Sequence, residues 1–135
     1  RDAQGDVVRW GRNSRLDNIQ AAVLGARLEE LPDSIRARRA LAALYRELLE
    51  GISQIVIPPG PDSGGDHWDV FQNYEIEACD RDRLRRHLAG HGVGTLLPWG
   101  GKPVHQMRRL GFDQTLERTD KIFSRILMLP LNPSV

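Results

Sequence analysis

His87 and His91 stand four residues apart, a spacing that puts two imidazoles on one face of a helix where they can hold a metal ion. A zinc protease of that pattern needs a glutamate directly after the first histidine, and Leu88 stands there. No cysteine or acidic cluster lies close in sequence, so the pair reads as two exposed histidines at a helix end, where positive charge is favourable. Gly100-Gly101-Lys102 resembles part of a phosphate loop. The full pattern needs an earlier glycine where Leu96 stands and a hydroxyl residue where Pro103 stands, and proline also removes an N–H that phosphate would need. His105 follows a Gly- and Pro-rich turn that begins with Trp99. Two readings of that turn stay open: a ligand loop in which Trp99 stacks on a ring and His105 reaches a polar group, or a core tryptophan with a histidine capping a short helix. Asn13, Ser14 and Arg15 form a polar knot at a helix start, which suits either an anion or plain N-capping. Cys79 lies beside Asp80, whose charge raises a thiol pKa, so it reads as structural. No serine occupies a G-x-S-x-G setting, so an elbow nucleophile finds no support.

The 135 residues that position these groups suit one domain with a real core. The net charge of +1 gives no electrostatic reason to expect nucleic acid or an anionic membrane as partner. Of 19 cationic residues only Lys102 and Lys121 are lysine. The single cysteine allows no internal disulfide, so a reducing cytoplasm is the expected location. No apolar run approaches the roughly 18 residues of a membrane span, and Arg1 to Asp6 lack the apolar stretch of a signal peptide. The absence of an initial Met, and a last segment that reads as the entry to a helix, suggest a piece of a longer protein.

Periodicity predicts a helix over 15–30 with apolar stripes on two sides: Leu16, Ile19, Val23 and Ala26, and Ala21, Leu24, Leu28 and Leu31. Pro32 is expected to break it and Asp33 to cap a second helix to about residue 50, with Ala37, Leu41, Leu44, Tyr45 and Leu48 inward. Strands are predicted at 55–57, 70–78, 93–97 and 127–129. Helices are predicted at 81–90, capped by Asp80, around 104–110, closed by Gly111, and after a Thr119 cap. The expected order is α-α-β-β-α-β-α-α-β, an α+β fold with a small antiparallel or mixed sheet and packed helices.

Several segments in order resemble one family. Trp10-Gly-Arg-Asn-Ser-Arg-Leu-Asp-Asn-Ile-Gln-Ala-Ala22 is similar to the G-x-N-S-R-L-D-x-x-Q-A-A signature of the DegT/StrS-type nucleotide-sugar aminotransferases. Arg38-Arg39-x-x-Ala42-x-x-Tyr45-x-x-Leu48, Phe71-Gln-Asn-Tyr74, Gly92-Val-Gly-Thr95, Trp99-Gly-Gly-Lys-Pro-Val-His105 and Leu127-Met-Leu-Pro130 follow in the family's order. The resemblance, over roughly residues 8–133, implies the C-terminal small domain of a fold-type I aminotransferase. It implies a polar lead-in over 1–13 from a missing large domain, a long helical segment over 14–50, and a small α+β domain over 51–135 cut at its C-terminus.

It further implies pyridoxal phosphate (PLP) as cofactor, a second subunit of a homodimer as partner, and transfer of an amino group from a donor such as glutamate to a keto-sugar nucleotide. The PLP-bearing lysine of the family lies upstream of the G-x-N-S-R segment, and neither Lys102 nor Lys121 sits in its context. The resemblance therefore implies no catalytic residue within this chain. Asn13 is implied to contact the PLP phosphate of the neighbouring subunit. On the substrate side His105 is implied as the first contact and Trp99 as the next, and Arg15 is implied close to the same shared site. The family more often shows a tyrosine–proline pattern before this histidine, and Trp99 and Lys102 stand in a departure from it. A non-catalytic or regulatory relative is the second reading.

Overall fold

A computed structural model describes residues 6–8, 11, 15–64, 66 and 68–133. Helix α1 runs unbroken over Asn18–Leu49, 32 residues and about 48 Å long. The expected break at Pro32 does not occur. Proline removes one N–H and strains one turn, at a cost of about 3 kcal/mol, but strong helix formers fill the turn before it, Leu28 to Leu31, and resume from Arg36. Pro32 also lies exposed, so the carbonyl it leaves unpaired faces water. Asp33 does not start a second helix and instead pairs with Arg36. The start is set by Asp17, whose carboxylate accepts from the Gln20 N–H while the Gln20 side chain accepts from the Asp17 N–H. Asn13 and Ser14, the expected caps, lie outside the described residues.

Two strands follow, β1 (Ile55–Val56) and β2 (Tyr74–Ala78). After them come α2 (Arg81–Gly90), three short 3₁₀ turns, α3 (Glu117–Arg125) and β3 (Ile126–Leu129). The sheet is antiparallel in the order β1-β2-β3, with Ile55 opposite Ala78 and Ile76 opposite Leu127. Alternation along β2 buries Tyr74, Ile76 and Ala78 on one face of the sheet and leaves Glu75 and Glu77 half-buried on the other. These join Phe71, Ala42 and Leu127 as the buried apolar side chains. Leu84 and Leu88 of α2 cover the core, as their spacing predicts.

The strand expected over 70–78 begins only at Tyr74. Phe71 takes a left-handed φ of 51° and donates its N–H to the Asp69 carboxylate, which turns the chain out of the sheet. The strand expected over 93–97 is reduced to one bridge, Leu96 with Met128. The last helix begins at Glu117 after Leu116, without the Thr119 cap. From α1, Ala42, Tyr45 and Leu49 reach the core, while Leu44 and Leu48 remain exposed. Arg38 and Arg39 point away from it and hold the 58–73 loop through the carbonyls of Gln72, Asp69 and Pro61. Residues 15–33 are exposed throughout, so both apolar stripes of the first half of α1 lie bare. Among the described residues no helix is long and apolar enough to cross a membrane.

Candidate functional site

The Trp99–His105 loop leaves the sheet at Leu96, whose N–H and carbonyl both bond to Met128 at 3.1 and 2.9 Å. Pro98 starts a tight turn in which Trp99, Gly100 and Gly101 are all left-handed, with φ of 55°, 73° and 79°. Glycine takes that conformation freely, whereas for tryptophan it costs about 1–2 kcal/mol. A Cβ at Gly101 would stand 3.1 Å from the Leu97 side chain. Trp99 emerges 78% exposed, so it does not fill the core. His105 does the opposite and is 3% exposed.

The His105 ring meets α3. Its Nε2 lies 2.9 Å from Oδ1 of Asp120, and the Gln106 amide donates to the same oxygen at 2.6 Å. The Gln106 amide, first, and the His105 ring hold the Asp120 carboxyl below the usual carboxylate range, against an upward push from burial; Arg108 adds to the lowering. An ionised carboxylate only accepts, so the hydrogen of the His105–Asp120 bond lies on Nε2. Nδ1 is buried and finds no partner among the described residues. Lys102 pairs with Asp6 at 2.7 Å across the loop.

Sequence reasoning missed Asp120 and Gln106. Asp120 lies fifteen residues beyond His105 on another element, so no local spacing marks the pair.

Arg15 is exposed beside Asp17, 3.7 Å from its carboxylate. That carboxylate already occupies the first turn of α1. The expected anion site at the helix start therefore loses part of its field and one N–H, that of Gln20. Asn13 lies outside the described residues, so the structure brings only Trp99 and His105 together, on one loop. The His87 and His91 ring centroids lie 4.3 Å apart, and His91 Nδ1 is bonded to the His87 carbonyl at 2.8 Å. Among the described residues no group of three or more metal-binding side chains converges. Lys102 pairs with Asp6, and Lys121 lies exposed on α3.

The sequence matches the model of the DegT/DnrJ/EryC1/StrS aminotransferase family over residues 1–135. The chain belongs to that family. It is 35% identical over 131 residues to the pleiotropic regulatory protein of Geobacillus stearothermophilus, covering 93% of this chain and 34% of that one. It is 35% identical over 127 residues to the dTDP-3-amino-3,4,6-trideoxy-α-D-glucose transaminase of Streptomyces venezuelae, covering 91% and 32%. The crystal structure of Streptomyces venezuelae DesV in complex with a ketimine intermediate superposes with a TM-score of 0.78 at 35% identity, over 91% of this chain and 33% of that one. A DegT DnrJ EryC1 StrS aminotransferase from Brucella abortus gives 0.74 at 34% identity, over 98% and 35%. The fold is thus the expected α+β unit, with a wholly antiparallel sheet, and it corresponds to a part of the fold-type I aminotransferases. This family member spans about a third of the length of the curated relatives it matches.

Proposed function

We propose that this chain is the small domain of a PLP-dependent aminotransferase that moves an amino group from a donor such as glutamate to a keto-sugar nucleotide in amino-sugar biosynthesis. The observation that carries this reading is the family match along the whole chain, with transaminases of dTDP- and UDP-sugars among its relatives. When bound, PLP supplies the electron sink that such a transfer needs. The chain's own share is positional. Asn13 donates to the PLP phosphate of the neighbouring subunit, and Arg15 lies close to the same shared site. The Trp99–His105 loop borders the sugar-nucleotide side, where the exposed indole offers a flat apolar face and the buried histidine holds the loop beneath it.

The test uses the complete polypeptide that carries this chain. With PLP, glutamate and a panel of dTDP- and UDP-keto-sugars, it should release 2-oxoglutarate at PLP-dependent rates, and borohydride should trap PLP on a lysine outside this chain. The 135-residue chain alone should show neither. Turnover by the chain alone, with PLP trapped on Lys102, would overturn the assignment.

A second reading is favoured by two of the relatives, the pleiotropic regulatory protein and an erythromycin biosynthesis sensory transduction protein 33% identical to this chain. A non-catalytic relative predicts no turnover and no trapped lysine in the complete polypeptide.

A further inference from the structure

We propose that Asp120 is a positioning residue that acts through His105: it holds the imidazole in its Nε2–H form and locks the Trp99–His105 loop in the shape that turns Trp99 outward. The inference rests on the reading that this loop borders the sugar nucleotide, and it adds a residue outside the loop that governs it.

The loop needs such an anchor. Its middle runs through three left-handed residues, one of them a tryptophan, a conformation that surrounding structure must impose. Neither the Pro98–Gly101 turn nor the Val104–Gln106 turn has a side-chain cap. The Lys102–Asp6 pair is largely open to water, where such pairs contribute little. At its upstream end the loop is tied to β3 by the two Leu96–Met128 bonds. At its downstream end the tie is the buried His105 ring to the half-exposed Asp120 carboxylate, reinforced at the same oxygen by Gln106. Two consecutive residues of the loop's end thus converge on one carboxylate oxygen. That oxygen belongs to α3, which also packs against the Pro98–Gly101 turn.

Asp120 also lies in the first turn of α3, where a negative charge favours the helix for reasons unrelated to the loop. The asparagine variant separates the two roles. Asp120→Asn keeps an acceptor oxygen for both donors but removes the charge; Asp120→Ala removes both.

The experiment compares the complete enzyme with both variants by three readouts. Long-range proton–nitrogen correlation of histidine-labelled protein reports the His105 tautomer, assigned by its loss in His105→Gln. Hydrogen exchange reports peptides spanning residues 97–107. Binding of dTDP and of UDP reports the ligand side. We expect the Nε2–H form in the wild type and in Asp120→Asn, with near-normal exchange. In Asp120→Ala we expect loss of that single form and roughly ten- to hundredfold faster loop exchange, the factor that losing two hydrogen bonds produces. An Nδ1–H ring in the wild type would overturn the proposal without any variant, which covers the case where Asp120→Ala does not fold. So would unchanged loop exchange in Asp120→Ala, or an asparagine variant as loose as the alanine one. If the loop loosens and affinity for both diphosphates stays at the wild-type value, Asp120 remains the anchor, and what fails is the loop's place at the ligand.

Discussion

Two stacked tyrosines show how one hydroxyl can matter and its neighbour not. The Tyr45 and Tyr74 rings lie 4.7 Å apart, and burial pushes both hydroxyls above their ordinary pKa. Tyr45 donates to the Pro130 carbonyl at 2.7 Å, whereas the buried Tyr74 hydroxyl has no partner among the described residues. Tyr45→Phe should therefore destabilise by about 1 kcal/mol, and Tyr74→Phe should be neutral or stabilising, since removing an unpaired buried hydroxyl relieves its desolvation. Urea midpoints check the pair, and equal losses would contradict the assignment. Asp120 gives a pH prediction at the same scale. Its folded pKa is depressed, so its ionised form is favoured by folding. Its contribution is complete above the ordinary carboxylate value of about 3.9 and lost as pH falls through the lower folded value. Because a protonated carboxyl keeps an acceptor oxygen, as Asp120→Asn does, the loop should stay protected; what should fall as acid is added below that range is the wild-type urea midpoint, by a step that Asp120→Asn lacks.

At the scale of elements, α1 is two stretches with different support. From Ala42 onward it is held by the core; residues 15–33 are held by the helix's own hydrogen bonds and the Asp17–Gln20 box. A short helix without packing is marginal in water. Pro32→Ala restores one hydrogen bond in that half and should slow hydrogen exchange over 18–36 by a factor reflecting up to about 3 kcal/mol, with little change in the global midpoint. Asp17→Ala should speed exchange over 18–24, in line with a cap worth about 1 kcal/mol. A global midpoint that moves as far as the local exchange would mean that the two halves unfold together.

For the whole molecule, Leu16 and the exposed first half of α1, with Ile19, Val23, Leu24, Leu28 and Leu31, face water. Burying such surface yields about 25 cal/mol per Å². The 135-residue chain alone should therefore self-associate, and the double substitution Val23→Glu with Leu28→Glu should give a monomer in sedimentation. A wild-type chain that sediments as a clean monomer would contradict this. In the complete enzyme, the proposed role of Asn13 across the subunit boundary predicts a mixed-dimer result. A subunit with Asn13→Asp is paired with one lacking the PLP lysine. The one remaining lysine then draws its Asn13 from the lysine-less partner, and activity should persist. A dead mixed dimer from two folded parents would place Asn13 in its own subunit's site.

What local spacing carries is legible in the sequence itself. The Leu84 and Leu88 face of α2, its Asp80 cap, the burial of Tyr74 and Ile76 along β2 and the Gly111 stop depend on residues within a few positions of one another. The ordered motifs likewise lead to the family. Tertiary structure decides what depends on distant partners. Residues 93–97 make a single bridge because the chain turns away at Pro98, so the ladder ends. His105 goes inward and Trp99 outward because an aspartate fifteen residues away takes the histidine's proton-bearing nitrogen, a pairing that no run of neighbouring residues encodes.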